Sequence, residues 1–366
     1  MSRKFPCVDP PPADPRTRRQ YWRELPEHGP LVGIRGGWGL HITDHEAIMD
    51  AFADPEVWRP GIGDIDQLAN DPVQRQQYRA ELRHILTRPE IPELRAQARE
   101  IVEAVAPQGC CEVHALATEY ASRALWSVLG WPPETRPLLI DAWTLPGLGR
   151  FAPQVQTAIT ACARRLRELT DIPSADARRI VATLVNAGVR TTASAITFGL
   201  LEIARNPQLR AHLRPGFLGL HLKTQVGGHL RDHPEDIGPF CHEALRLDPP
   251  IPAVIRNPSR QVHMDGVAIP AGTEVRLPIA TLNTRDGADV AIEDGKICPR
   301  KHFTFGYNAR RCVGAELGAL EVRLMIGEFV TAIPEFELAA RYEEPAPQRG
   351  DPLSREAGQV HLRWNT

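Results

Sequence analysis

A nearly continuous series of helix-forming segments between residues 73 and 247 limits the fold of this chain more than any other feature. Apolar residues that recur with helical spacing are the primary signal for such segments, and their ends can be placed to within a few residues. The pattern predicts helices at about 73–88, 92–106, 112–129, 135–145, 154–170, 176–205 and 236–247. A chain with this many helices folds into a mainly α body.

Short β segments lie before and after this helical body. Two apolar runs, 31–34 and 40–43, surround a glycine-rich turn and predict a hairpin. Asp44 is placed to cap a following helix over about 47–52. Beyond Pro249 the sequence pattern changes to short pairs of apolar residues separated by proline and glycine.

The last part of the chain completes the predicted architecture. Residues 262–269 and 274–279 are predicted strands, and a final helix is predicted from near Cys312 to about Ala332. The proline-rich residues 1–13 are expected to form a flexible arm, disordered or draped over the protein. We therefore predict a single domain over residues 14–366, mainly α with a small β-rich part.

Composition excludes several classes of function. The formal charge of −2, with 24% charged residues, gives no indication of binding to nucleic acid or to an anionic membrane. No apolar run reaches the roughly 18 residues that span a bilayer, and the N-terminal residues do not resemble a secretory signal. The sequence thus predicts a cytoplasmic protein. Its seven cysteines are odd in number and follow no zinc-ligand spacing, so most are expected to be buried thiols.

One cysteine lies in an unusual setting. Cys312 ends the segment Phe305-Gly306-Tyr307-Asn308-Ala309-Arg310-Arg311-Cys312, and Val313-Gly314 leads into the last predicted helix. A basic loop just before a helix N-terminus stabilises a thiolate through partial positive charge and backbone N–H donors. A cysteinate ligand pushes electron density onto haem iron and favours cleavage of the O–O bond. The alternative is a buried structural cysteine at a helix start.

A second motif lies upstream, in the predicted helix 236–247. Glu243 and Arg246 are three residues apart, so they share one helix face and can form a charge-assisted pair. Taken alone, such a pair is an ordinary feature of helix surfaces. Here it is followed by Pro249-Pro250 and then by Arg256.

Together, the two motifs resemble those of the cytochromes P450, and the resemblance covers nearly the whole chain. It implies the P450 fold and a haem b whose iron is bound by the Cys312 thiolate, in a loop that includes Phe305, Gly306 and Gly314. One position departs from the family pattern, because Asn308 stands where the loop usually has a second glycine. Asparagine tolerates left-handed backbone angles better than most residues, so the loop can form.

The resemblance also implies roles for other charged residues. Arg256 and Arg310 are expected to pair with the haem propionates, and Arg83 and Arg79 resemble a further pair on an earlier helix. For Arg79, a solvated helix face is the alternative. Glu243 and Arg246 are expected to be structural, with Lys296 and Arg300 both possible as a third partner.

Ala187-Gly188-Val189-Arg190-Thr191-Thr192 resembles the helix that activates oxygen in these enzymes. Gly188 would open a groove for dioxygen. Thr191 would help to deliver protons, because a hydroxyl both donates and accepts; the alternative is a hydroxyl bonded back to its own helix. Arg190 departs from the family, which has an acid there, and arginine cannot shuttle protons.

Arg190 therefore has three possible roles. It can bind a substrate carboxylate, as an arginine does in fatty-acid peroxygenases of this family. Protons can instead reach the site through water or substrate, or Arg190 can point away and pair with a surface acid. The segments 55–71 and 133–176, which form the lid in relatives, are short and indicate an accessible cavity.

The function implied is that of a haem-thiolate monooxygenase of secondary metabolism. Its substrate would be a small molecule or peptide, in particular a bulky peptide or carboxylic acid, that is hydroxylated or oxidatively decarboxylated, as in the peptide-tailoring P450 of bottromycin maturation. Dioxygen and electrons from a soluble ferredoxin and ferredoxin reductase would drive the reaction. The alternatives are a peroxygenase that uses hydrogen peroxide and a non-catalytic module that recruits partner proteins.

Overall fold

The computed structural model of the chain describes residues 5–61, 72–87, 89–144, 151–213, 236–294, 296–340 and 358–366. Its α-helices are α1 (Pro15–Glu24), α2 (His45–Ala53), α3 (Pro72–Leu86), α4 (Ile91–Val105), α5 (Val113–Leu129), α6 (Thr135–Thr144), α7 (Pro153–Leu169), α8 (Ser174–Arg205), α9 (Pro207–Leu213), α10 (Ile237–Leu247), α11 (Ile279–Thr284) and α12 (Ala315–Ala332). Its strands are β1 (Cys7–Val8), β2 (Leu31–Ile34), β3 (Gly39–Ile42), β4 (Trp58–Pro60), β5 (Cys110–Glu112), β6 (Val254–Pro258), β7 (Val262–Met264), β8 (Val267–Ile269), β9 (Val275–Leu277), β10 (Ile292–Glu293), β11 (Lys296–Ile297), β12 (Glu337–Leu338) and β13 (His361–Arg363).

The helices predicted between residues 73 and 247 are all present, with ends within a few residues of the predicted ones. Local chemistry explains several of these ends. The carboxylate of Glu112 accepts hydrogen bonds from the backbone N–H groups of His114 and Ala115, which caps α5. Gly130 ends the same helix in the left-handed region, at φ +58°. Asp44 caps α2 as predicted, by accepting from the N–H of Ala47.

The prediction of one strand over residues 262–269 is wrong. The segment is a hairpin, in which β7 and β8 pair antiparallel with Met264 opposite Val267. Asp265 and Gly266 both have positive φ, +47° and +74°, which is the geometry of a two-residue hairpin turn. The last helix also begins at Ala315, three residues later than Cys312.

The described residues fall into two compact units. One consists of residues 5–61 and 242–312, and its main sheet has the order β1-β2-β3-β9-β6-β4. The predicted hairpin forms β2 and β3, and Leu31 pairs with Ile42. The described part of the predicted N-terminal arm lies along this sheet, where β1 runs parallel to β2. Phe52 of α2 lies in the core of this unit.

The second unit consists of residues 72–87, 89–144, 151–213, 236–241, 313–340 and 358–366. Its longest helix, α8, packs against α5, α7 and α12. The C-terminal half of α8 is buried almost without interruption from Thr192 to Ala204. The strands of this unit form a small sheet of order β12-β13-β5.

Two further observations concern the whole of the described chain. None of its helices combines the length and the apolar character that crossing a bilayer requires. The expectation that most cysteines are buried is wrong, because only Cys162 and Cys241 are buried and the other five are half-buried or exposed. Small thiols at strand ends and in loops account for the difference.

Candidate functional site

The loop before Cys312 folds back on itself. The backbone N–H of Cys312 donates to the carbonyl of Phe305 at 2.6 Å, and that of Gly306 donates to Phe303 at 2.7 Å. Gly306 has φ +73°, and a Cβ there would lie 3.1 Å from the carbonyl oxygen of Arg310. The glycine is therefore required by the turn. The result is a closed loop that presents an exposed Cys312.

The loop also accommodates the departure at position 308. Asn308 adopts φ +51°, in the left-handed region that asparagine tolerates, and begins a short 3-10 turn that ends at Arg310. The expectation that the loop forms without its second glycine is thus confirmed.

The loop residues fit the haem that the resemblance implies. Cys312 is an exposed cysteine in a basic loop, and thiolate sulfur is the donor that such iron centres use. Gly314 has an ordinary φ of −95°, and an added Cβ would meet Leu86 only at 3.8 Å. Neither the backbone geometry nor the packing of the described residues therefore requires a glycine there. A haem held by this loop would supply a reason for the glycine.

Two of the predicted propionate partners flank the same helix. Arg256, on β6, is 4% exposed, and its guanidinium lies 5.7 Å from the ring centroid of Phe52 in α2. The 3-10 turn that contains Arg310 also packs against α2. The first unit thus brings together the cysteine loop and two of the four arginines.

Glu243 and Arg246 form a buried structural pair. The Nε and Nη2 atoms of Arg246 donate to the two carboxylate oxygens of Glu243, both at 2.7 Å, and both residues are fully buried. Burial excludes the surface-pair alternative. The third partner of Glu243 is Arg300, which donates its backbone N–H at 2.8 Å rather than its guanidinium. Lys296 is exposed.

Asn283 of α11, which the sequence pattern did not indicate, extends this network toward the cysteine loop. Its amide nitrogen donates to the carbonyl of Arg246 and to the hydroxyl of Thr304, both at 3.0 Å. Its amide oxygen accepts from the N–H of Phe303 at 2.7 Å. Since residues 303–304 lead directly into the loop, Asn283 fixes where the loop begins. Its burial, which the sequence does not show, is what distinguishes this asparagine.

A pair of histidines lies beside the same segment. The rings of His242 and His302 are edge to face, with centroids 4.3 Å apart, and His302 also lies near Phe305. Burial, together with the charges of His242, Arg246 and Arg311, lowers the pKa of His302 to about 3. Its Nδ1 accepts from the N–H of Thr304 at 3.3 Å. His302 is therefore a neutral, fixed side chain.

The motif predicted to take part in oxygen activation lies on α8, in the second unit. Thr191 donates to the carbonyl of Ala187 at 2.5 Å, as in the alternative of a hydroxyl bonded to its own helix. Its lone pairs can still accept a proton donor. Arg190 is half-buried and donates to Asn186 at 2.9 Å. A Cβ at Gly188 would meet Leu125 of α5 at 3.4 Å, so packing allows a small residue there.

The remaining predicted arginines lie on α3. Arg79 is half-buried and Arg83 is exposed. Arg75, which the sequence analysis did not single out, precedes Arg79 by one turn, so the three arginines share one helix face. Much of the first predicted lid segment (62–71) and residues 145–150 of the second lie outside the described residues.

Comparisons with known proteins agree on one family. The cytochrome P450 family model matches residues 165–287. Cytochrome P450 130 of Mycobacterium tuberculosis is 33% identical over 123 residues, which are 33% of this chain and 30% of that protein. The monooxygenase DoxA of Streptomyces peucetius is 37% identical over 141 residues, 36% of this chain and 33% of that one. The matched segments thus span about a third of these relatives.

Among solved structures, the hydroxylase HmtN is similar over 97% of this chain and 100% of its own, with a TM-score of 0.77 and 17% identity. It is described as a post-tailoring hydroxylase involved in himastatin biosynthesis. At this identity the likeness shows the fold. The chain therefore has the fold of the cytochromes P450, and residues 165–287 match the model of that family.

Proposed function

We propose that this chain is a haem-thiolate monooxygenase that oxidises a bulky peptide or carboxylic acid of secondary metabolism. The observation that carries the proposal is the closed loop that presents Cys312, in a chain with the P450 fold. A module that only recruits partners has no use for an exposed cysteine on such a loop. The tailoring role named for HmtN supports a biosynthetic substrate.

The residues of the chain have distinct tasks in this proposal. Cys312 supplies the anionic sulfur ligand, and Arg256, Arg310, Arg79 and Arg83 neutralise the two propionates. When bound, haem supplies the iron at which dioxygen is activated. Thr191 accepts and donates protons through its hydroxyl, and Arg190 binds the carboxylate of the substrate. Arginine suits that last task because its planar fork matches a carboxylate.

Electrons are proposed to come from a soluble ferredoxin and its reductase. Arg310 and Arg311 place two cations in the cysteine loop, and Arg311 is exposed. Complementary charge steers an acidic partner toward such a surface, and the effect weakens as salt rises. Ferredoxin-supported turnover is therefore expected to fall with ionic strength.

A peroxygenase is the second candidate, because Arg190 stands where the family has an acid. One experiment separates the two. Acids and peptides that shift the haem spectrum are incubated with the holoenzyme and labelled dioxygen, either with the ferredoxin pair or with unlabelled hydrogen peroxide. The proposal expects label in the product of the ferredoxin reaction. Product formed only with peroxide, and without label, would favour the peroxygenase.

A further inference from the structure

Asn186 and Arg190 form a pair on α8, one helical turn apart. The Nη1 atom of Arg190 donates to the amide oxygen of Asn186 at 2.9 Å. Because a guanidinium only donates, this bond fixes the orientation of the amide, with its oxygen toward Arg190 and its nitrogen turned away. Asparagine is a weak helix former, yet Asn186 lies well inside the 32-residue helix. The bond to Arg190 gives a reason for an asparagine at this position.

The pair lies on a side of α8 that the described part of the helical unit does not fully cover. Asn186 and Arg190 are half-buried, and Ala187 beside them is exposed. On the other side of the helix, Gly188 packs so closely against α5 that an added Cβ would meet Leu125 at 3.4 Å. Successive residues turn by about 100° around a helix, so positions 186 and 190 each lie about 200° from position 188. The pair therefore points away from α5, toward the less covered side.

Asn186 differs in charge from the acid that pairs with another helix arginine of this unit. On α5, Glu119 lies four residues before Arg123 and pairs with its Nε atom at 2.6 Å. The negative charge of that carboxylate offsets the positive charge of the arginine it holds. Asn186 lies at the same spacing from Arg190, but its amide is neutral. A neutral acceptor orients the guanidinium and leaves its positive charge in place.

We propose that Asn186 is a positioning residue that makes the site selective for a carboxylate, and that it acts through Arg190. The inference rests on the proposed function, in which Arg190 binds the carboxylate of the substrate. Holding a long side chain in one orientation before the substrate arrives reduces the entropy that binding costs. The bond to Asn186 uses one of the five N–H donors of the guanidinium, and the amide nitrogen adds two donors next to it.

The class of ligand follows from these donors. Arg190 and the amide nitrogen of Asn186 present N–H groups, and the amide oxygen is already bonded to Arg190. A carboxylate only accepts hydrogen bonds, so it matches the pair in charge and in hydrogen bonding. A primary amide brings two donors of its own, for which the pair has no matching acceptor. The pair therefore favours an acid over its amide by more than charge alone.

The test is spectral titration of the holoenzyme with a panel of straight-chain carboxylic acids and N-acetylated dipeptides, each paired with its primary amide. In the wild type, at least one acid should bind more tightly than its amide. Asn186→Ala should weaken binding of that acid by about 10-fold or more and change binding of the amide little, because a hydrogen bond to a charged group contributes about that much.

Two further variants and a control sharpen the comparison. Asn186→Asp should abolish the preference for the acid, because its carboxylate offsets the charge of Arg190 and repels the ligand. Asn186→Gln keeps the amide and should retain part of the preference. The control is Thr183→Val, one turn earlier on α8, where the hydroxyl donates to the carbonyl of Arg179 on the same helix. This control should bind acid and amide as the wild type does.

A second measurement separates positioning from a general structural effect. If Asn186 acts through Arg190, then Asn186→Ala should not weaken acid binding further in a protein that already carries Arg190→Ala, because residues that act as a unit are not additive. The carbon monoxide spectrum of each reduced variant reports its haem content. If Asn186→Ala does not hold haem, Asn186→Gln and Asn186→Asp are compared in its place.

The outcomes separate the two proposals. If no acid binds more tightly than its amide to the wild type, or if Arg190→Ala keeps the preference, the proposed role of Arg190 fails and the inference fails with it. If Arg190→Ala loses the preference and Asn186→Ala keeps it, only the inference is overturned. Equal weakening for acid and amide in Asn186→Ala, or equal weakening with and without Arg190, indicates a structural role and also overturns it.

Discussion

Arg246 holds Glu243 through two hydrogen bonds of 2.7 Å and, with the same guanidinium, reaches the backbone carbonyls of Asn283 and Gly287. With a further bond to the carbonyl of Asp289, all the donors of this buried side chain are directed at partners in the unit that carries the cysteine loop. Because the backbone N–H of Arg300 also donates to Glu243, the pair fixes the segment that leads to the loop. The Glu243–Arg246 pair therefore has a structural role, and the position of the cysteine loop depends on this buried charge pair.

Replacing Glu243 by Ala should destabilise the protein by about 3–5 kcal/mol, because Arg246 is left buried without its acid. The measurement is urea unfolding of the holoprotein. Asp286→Ala is the control, since its pair with Arg285 is exposed and such pairs contribute about 0–1 kcal/mol. Equal stability of Glu243→Ala and wild type would contradict a structural role.

Asn283→Ala should also destabilise the protein and loosen the start of the cysteine loop. The substitution removes the acceptor of the Phe303 N–H and the amide donor to the Arg246 carbonyl, at about 1–3 kcal/mol for each buried group left unsatisfied. Hydrogen exchange at the N–H of Phe303 should become faster. Asn257→Ala, which removes a bond to Gly272 at an exposed site, should leave that exchange rate unchanged.

His302 should make the fold sensitive to acid. Its pKa of about 3 in the fold lies below the ordinary value of 6.5, so the unfolded chain binds the proton first as pH falls. The stability contributed by neutral His302 is complete above pH 6.5 and is lost as pH falls toward 3. His302→Asn keeps an acceptor for Thr304 and should flatten this dependence, whereas replacing the exposed His263 by Asn should not. If the stability of wild type and of His302→Asn depended on pH in the same way, this role of His302 would be contradicted.

Arg190 is predicted to select acids over neutral analogues. Losing a desolvated arginine–carboxylate contact weakens binding by about 2–5 kcal/mol, so Arg190→Ala should lose the preference for an acid over its amide. Arg190→Lys keeps the positive charge but lacks the planar guanidinium, so this variant should retain part of the preference for the acid. Spectral titration gives both affinities. Arg179→Ala, an exposed arginine on the same helix, is the control.

Other outcomes for Arg190 have defined meanings. If both variants keep the preference for the acid and only the coupling of electrons to product changes, Arg190 manages protons. If neither the preference for the acid nor the coupling changes, Arg190 pairs with groups at the protein surface. Its hydrogen bond to Asn186 is then its main interaction.

Much of the fold could be predicted because its signals are local. Seven helices and the hairpin of β2 and β3 follow from periodicity and turn residues. The turn at Asp265-Gly266 was also a local signal, but a strand pattern that continues on both sides concealed it. The cysteine loop was predictable because its residues are consecutive in the chain.

The parts that could not be predicted depend on pairing between distant segments. The contact of Arg300 with Glu243 uses a backbone N–H, which carries no side-chain signature. Asn283 and His242 become notable only when burial and partners are known, since each is an unremarkable polar residue in the sequence. Tertiary packing decides which polar residues are enclosed, and periodicity alone does not show it.

The central claim is that Cys312 is the thiolate ligand of a haem iron, and the carbon monoxide spectrum of the reduced protein tests it most directly. Wild-type protein and Cys298→Ser, a half-buried cysteine of the same unit, should both show the red-shifted carbonyl band of a thiolate-ligated haem. Cys312→Ser should bind haem without that band, because an alcohol does not replace the sulfur anion. A red-shifted band that persists in Cys312→Ser would contradict the account.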